Sequence, residues 1–218
     1  RATPGFVGAD LENLMNEAAI LAAKRNKNSI GNAEMEEAVE RVIAGPQKKS
    51  RILTEKEKRI IAYHEAGHAI IMNVIPECDP VHKVTIIGRG SAGGYTMHLP
   101  TEDLVLMSKK QIEAEMVSLL GGRAAEELMF DDITSGASSD IERVTELARS
   151  MVTRLGMSEV MGPIVYGKKE EMIFLGREIS EQRDYSEAVA EDIDAEVRKI
   201  VNNAFEKAKA LLVEYREY

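Results

Sequence analysis

The segment His64-Glu65-Ala66-Gly67-His68 sets the tightest limit on how this chain folds, because its residues act together when they lie on a helix. A helix turns the chain by about 100° per residue, so His64 and His68 sit one turn apart on nearly the same face. Glu65 lies beside them, close enough for its carboxylate to reach a water on an ion gripped by both imidazoles. The flanking sequence supplies that helix. Thr54-Glu55-Lys56-Glu57 reads as a capping box, Ile60, Ile61, Ala69, Ile70 and Val74 are its apolar positions, and Pro76 marks its end. Neutral imidazoles suit Zn²⁺, and a catalytic zinc keeps a position open for water whose pKa it lowers. The competing reading is a helix with two solvent-facing or core histidines and a solvated Glu65.

The chain of 218 residues is long enough for one good-sized core or two small domains. A hydrophobic fraction of 44% and a charged fraction of 30% describe an ordinary folded protein. The net charge of −9 argues against nucleic acid or an anionic membrane surface as the main partner. Cys78 is alone, so no internal disulfide forms and a reducing compartment fits best. No apolar run approaches the roughly 20 residues of a membrane span, and no signal peptide opens the chain. Residue 1 is Arg, and the sequence reads as a soluble piece of something longer.

Apolar spacing predicts helices over Ala9 to about Lys24 and over Asn32 to Ile43. Gly45-Pro46-Gln47-Lys48-Lys49-Ser50 reads as a linker, which divides the chain into residues 1–47 and 51–218. Val81 to Ile87 is β-branched enough for a strand, and Tyr95 to Leu99 can pair with it. The connection contains Gly88-Arg89-Gly90-Ser91-Ala92-Gly93, a dinucleotide-binding pattern by spelling. That function needs a helix to start directly after it, whereas Tyr95 to Pro100 is extended, so the segment reads as a hairpin tip. Ser108 caps a long helix ending near Phe130, with Gly121-Gly122 as a close-packing point. Further helices are predicted from Ile141 to about Leu155 and from Tyr185 to the C-terminus, and Gly162 to Gly167 as a short extended piece. The expected fold is therefore mainly α, with a small β-hairpin.

Two histidines leave a zinc site incomplete. Ile71 and Val74 stand where an extended metzincin motif needs Gly and His, which excludes that class. Glu126 and Glu127 are candidate carboxylate ligands, although a surface pair on the helix is the plainer reading of both. Asp140 is another, with a helix N-cap as its plainer role. Spacing leaves the choice open. His82 and His98, in or beside the two strands, read as structural.

Together these segments resemble the FtsH family of membrane-anchored AAA proteases, over essentially the whole chain. Thr3-Pro4-Gly5-Phe6-Val7-Gly8-Ala9-Asp10-Leu11 with Asn16-Glu17-Ala18-Ala19 is similar to the helical lid that ends the family's ATPase module. His64 to His68 matches its zinc motif, and Asp79 to Ile86 its strand beside the active site. Gly121 to Glu127, Thr134 to Ala137 with Asp140-Ile141, Asp184-Tyr185-Ser186 and Ile193 to Val197 match further blocks. The departures are small: Ser139 replaces the usual Asn, and Ser91-Ala92-Gly93 shortens the hairpin tip.

The resemblance implies a helical AAA lid over 1–47 and a predominantly helical zinc-peptidase domain over 51–218. It implies His64, His68 and Asp140 as zinc ligands, with Glu126 as second choice to Asp140, and Glu65 as general base. Gly8 and Ala9 would line a nucleotide pocket for ATP and Mg²⁺ in the intact protein alone, because no G-x-x-x-x-G-K-[ST] phosphate loop occurs here. Further implications are a homo-hexamer, unfolded or membrane proteins as substrates, and anchoring by segments outside this sequence. The implied location is a bacterial inner membrane, with this portion on the cytoplasmic side, or an organelle membrane. An assembly module and a zinc hydrolase of small non-peptide substrates are the rival functions.

Overall fold

Why the chain forms these helices is visible at their starts. In the computed structural model, which describes residues 3, 5–47, 53–89, 93–98, 106–167 and 185–217, five α-helices open on a side chain that satisfies an otherwise unpaired backbone N–H. Helix α1 (Gly8–Lys24) uses Asp10, whose carboxylate accepts from Val7 N–H at 3.0 Å. Helix α3 (Glu55–Val74) has the expected capping box: Thr54 accepts from Glu57 N–H, and Glu57 accepts from Thr54 N–H. Ser108 and Gln111 repeat the device at α4 (Lys109–Phe130), and Ser186 caps α6 (Glu187–Glu214).

α1 and α2 (Asn32–Ala44) form a helical hairpin with its own core of Leu14, Ala18, Leu21, Ala38 and Val39. Glu34 is fully buried beside it. Hydrogen bonds from Lys27 and Arg25 hold its carboxyl down at about 2. The larger core lies among α3, α4, α5 (Ser138–Thr153) and α6, around Ile71, Met116, Val144, Met151, Ile193 and Ala208. α3 and α4 cross where Gly67 meets Gly121. A Cβ added to Gly67 would lie 2.4 Å from the Gly121 carbonyl oxygen, so only glycine permits this approach.

β1 (Val81–Thr85) pairs antiparallel with β2 (Tyr95–His98), with Val84 opposite Thr96 and a register shift between Val81 and Lys83. β1 is shorter than its β-branched run because Ile87 N–H turns back to Thr85 Oγ1 at 3.1 Å. The hairpin sits between α2 and α3. Glu40 of α2, 8% exposed, accepts from Arg89 at 2.5 Å, from Tyr95 at 3.1 Å and from Lys83.

Three expectations need correction or fall outside view. α5 starts at Ser138, not Ile141, because a short 3₁₀ turn (Ser135–Ala137) runs directly into it. Residues 162–167 contain no strand: Gly162 and Gly167 take φ of 71° and 84°, and Tyr166 N–H bonds back to Thr153 at 2.8 Å. Residues 48–50 of the linker, 90–92 of the hairpin tip, and Pro4, Leu99 and Asp184 lie outside the described residues. No described helix is long and apolar enough to cross a membrane.

Candidate metal centre

The i, i+4 spacing on α3 brings His64 and His68 side by side, 8% and 7% exposed, with ring centroids 4.7 Å apart. Each ring is fixed from behind. His64 Nδ1 donates to Glu126 Oε1 at 2.7 Å, and His68 Nδ1 donates to the Ser118 carbonyl oxygen at 2.7 Å. A carbonyl oxygen and a carboxylate only accept, so both protons sit on Nδ1 and both Nε2 atoms carry lone pairs.

Those lone pairs converge. His64 Nε2 and His68 Nε2 are 3.0 Å apart, and Asp140 Oδ2 lies 3.3 Å from the first and 3.6 Å from the second. Three electron-pair donors facing one another repel unless a cation lies between them. The separations bracket the ~3.3 Å edge of a tetrahedron built on ~2.0 Å zinc bonds. Two imidazoles and a carboxylate are also a donor set that zinc accepts. The residues therefore fit zinc, and they are the only such group among the described residues.

α4 supplies the back wall. Ser118, Gly122 and Glu126 recur every four residues on one face of it, and that face looks onto α3. A Cβ on Gly122 would stand 2.4 Å from His64 Cε1, so the glycine makes room for the imidazole. Glu126, 2% exposed, is bonded at both oxygens: Oε1 holds His64, and Oε2 accepts from Thr134 N–H at 2.7 Å. It thereby ties His64 to the loop that leads into α5 and Asp140.

This corrects the reading of Glu126 as a surface residue or alternative ligand. It touches the far nitrogen of His64, away from the convergence point. Glu127 is the surface partner, paired with Lys209 at 2.9 Å. The spacing of Ser118, Gly122 and Glu126 is the signal in the sequence that points to this role. Asp140 is not an N-cap either: with α5 starting at Ser138, it stands in the first turn, side chain 20% exposed and aimed at the two histidines.

Electrostatics follow from this packing. Without a metal, burial opposes charge on Asp140, but His64 and His68, when protonated at Nε2 as well, donate to it and outweigh burial, holding the carboxyl down at about 2. For His64, burial works against protonation, and Asp140 and Glu126 together reverse it, raising its pKa. Glu65, 6% exposed, is raised chiefly by burial, with Thr96 and the two histidines opposing. Thr96 Oγ1 donates to Glu65 Oε2 at 2.8 Å, a contact with no sequence signature. His82 and His98 stay out of the cluster. Gly8 and Ala9 open α1 on its exposed end, where a Cβ on Gly8 would meet nothing within 4 Å. A cleft of about 650 Å³, lined by Met72, Cys78, His98, Met107 and Ser118 among others, shares Ser118 with the back wall of the centre and contains none of the three donors or Glu65.

Residues 51–218 match the model of peptidase family M41, and residues 1–37 match the AAA+ lid domain. The chain belongs to peptidase family M41. It is 57% identical over 218 residues to the ATP-dependent zinc metalloprotease FtsH of Thermotoga maritima, covering all of this chain and 36% of that protein. It is 56% identical over 217 residues to FtsH 1 of Thermomicrobium roseum, covering 100% of this chain and 33% of that one. The FtsH 1 of a Thermoanaerobacter species is 58% identical over 214 residues, 98% of this chain and 35% of the relative. The chain thus spans about a third of the length of these curated relatives. In M41 terms, the lid match ends at residue 37, inside α2, and the peptidase match begins beyond the glycine that ends that helix.

Proposed function

We propose that this chain is the lid and peptidase portion of an ATP-dependent zinc endopeptidase, with a helical lid over residues 1–47 and the peptidase unit over 51–218. The observation that carries the reading is the convergence of His64 Nε2, His68 Nε2 and Asp140 Oδ2 one residue from a buried carboxylate, Glu65. In this reading His64, His68 and Asp140 hold the zinc, and Glu65 is the general base. Zinc bound there supplies a Lewis acid that polarises a peptide carbonyl and eases deprotonation of the attacking water.

The chain's own groups do the rest. Glu65 takes the water's proton, holds it while the carbonyl carbon becomes tetrahedral, and passes it to the leaving amine nitrogen. Its raised pKa makes it a stronger proton acceptor than an ordinary carboxylate. Oε2 is engaged by Thr96, which leaves Oε1 for this exchange. Glu126 and the Ser118 carbonyl keep both Nδ1 atoms protonated, so that both Nε2 atoms stay free to bind.

The resemblance extends the reading to the longer protein. Unfolded or membrane proteins would be delivered by an ATPase module outside these residues, within a homo-hexamer anchored in a bacterial inner membrane or an organelle membrane. Gly8 and Ala9 would face nucleotide only there. The decisive variant is Glu65→Gln. It is expected to keep near-stoichiometric zinc while casein cleavage falls by about a hundredfold or more. Unchanged cleavage removes Glu65 from the role of base.

A further inference from the structure

We propose that Thr96 is the positioning residue for Glu65: its hydroxyl fixes one carboxylate oxygen and so decides which oxygen exchanges the proton. The proposal rests on the reading of Glu65 as base and deepens it. Thr96 Oγ1 lies 2.8 Å from Glu65 Oε2 and 3.1 Å from the Glu65 carbonyl oxygen, so one hydroxyl touches both ends of the residue. A hydroxyl has a single proton, and the shorter contact to the charged oxygen takes it. With Oε2 accepting from Thr96, a proton arriving from water is retained on Oε1.

A second observation concerns Oε1 itself. Gly94 leaves space for this oxygen, because a Cβ there would stand 2.9 Å from it and 2.7 Å from the Thr85 carbonyl oxygen. Oε1 accepts no hydrogen bond among the described residues, yet it is not a buried orphan. It is the oxygen open to a water.

The hairpin is built to hold Thr96 still. Successive strand residues point to opposite faces. Tyr95 reaches Glu40 of α2 at 3.1 Å while Thr96 reaches Glu65 of α3. Arg89, 2% exposed, donates to the same Glu40 at 2.5 Å and to the Gly45 carbonyl oxygen at 3.1 Å. The strand carrying Thr96 is thus clamped from the opposite side, and the position of Glu65 is set by hairpin and helix together.

The test uses the zinc-loaded chain, an unstructured fluorogenic peptide, and bound zinc measured on the same samples. Thr96→Val removes the hydroxyl at constant shape. It is expected to keep zinc and helical circular dichroism, leave KM within about twofold and lower kcat by about tenfold to a hundredfold. Thr96→Ser, which restores the hydroxyl, is expected to recover kcat to within about threefold. Adding Thr96→Val to Glu65→Gln is expected to leave the residual rate unchanged, since Thr96 acts through the carboxylate. The proposal fails if Thr96→Val retains kcat within about twofold, if it loses zinc or helicity, or if serine does not rescue. Wild-type cleavage by Glu65→Gln would instead overturn the base assignment, whatever Thr96→Val does.

Discussion

Glu126→Gln tests how far the centre depends on a residue that lies behind His64, on the side away from the three converging donors. The carboxylate accepts two hydrogen bonds, from His64 Nδ1 and from Thr134 N–H, each at 2.7 Å. Glutamine offers one carbonyl oxygen and one NH₂ in their place. In one orientation it serves His64 and sets two donors against each other at Thr134. In the other it serves Thr134 and presents NH₂ to His64 Nδ1, which pushes the proton onto Nε2 and removes a lone pair from the centre. The first arrangement leaves a buried donor unsatisfied, at a cost of about 1–3 kcal/mol, and the second gives up the tautomer that binds metal. Part of that cost appears as weaker zinc binding, because the ring is no longer held in the binding tautomer. The expected loss is about tenfold to a hundredfold in zinc affinity, the range typical of partners behind a metal-binding histidine. Competition against a chromophoric chelator measures it directly. A Glu126→Gln chain that binds zinc within about twofold of wild type would refute the reasoning.

The same packing sets three further outcomes. Gly67→Ala is expected to destabilise the chain by about 1–3 kcal/mol in urea unfolding, because its Cβ meets the Gly121 carbonyl at 2.4 Å, whereas Gly8→Ala, in open space, is not. Removing one partner of the Glu40–Arg89 pair by Glu40→Leu is expected to cost about 3–5 kcal/mol, with Arg89→Met recovering most of it in the double variant. In zinc-free chain, Asp140 has a folded pKa of about 2 against an ordinary value of 3.8, so its contribution is present above that ordinary value and lost as pH falls toward 2. His64 has a raised folded pKa, so its contribution is complete below about 6.5 and lost as pH rises through the folded value. Melting temperature without zinc is therefore expected to be highest between about pH 4 and 6.5, with zinc stabilising most at higher pH, where no proton competes for His64. A zinc-free melting profile that rises steadily from pH 6 to 8 would contradict the assignment.

Much of the frame is legible in the sequence because caps and stripes are local. Thr54 with Glu57, and Ser108, announce their helices within a few residues, and both helices start where the cap predicts, whereas the last helix starts at Glu187, two residues after the expected Tyr185, because Ser186 caps it. The start of α5 escapes the same reasoning. The run from Thr134 to Asp140 offers several capping side chains, and the choice among them is made by a 3₁₀ turn and by Glu126 gripping Thr134 N–H, which are tertiary facts. Glu126 itself looks solvated beside Glu127 in sequence; its four-residue spacing from Gly122 and Ser118 is a faint signal, and the docking of α4 on α3 is what buries it. Thr96 carries no signal at all, since threonine is an ordinary strand residue and its value comes from where the hairpin rests. The motif on α3 is readable because both histidines and the glutamate share one helix; their supports come from three other elements.

The most direct test of the account is bound zinc per chain after loading and desalting, compared between wild type and Asp140→Ala, with casein cleavage followed on the same samples. The account predicts near-stoichiometric zinc and measurable cleavage in the wild type, and sharp loss of both in the variant. Zinc and cleavage at wild-type levels in Asp140→Ala would contradict it, because the convergence of three donors would then not be what holds the metal.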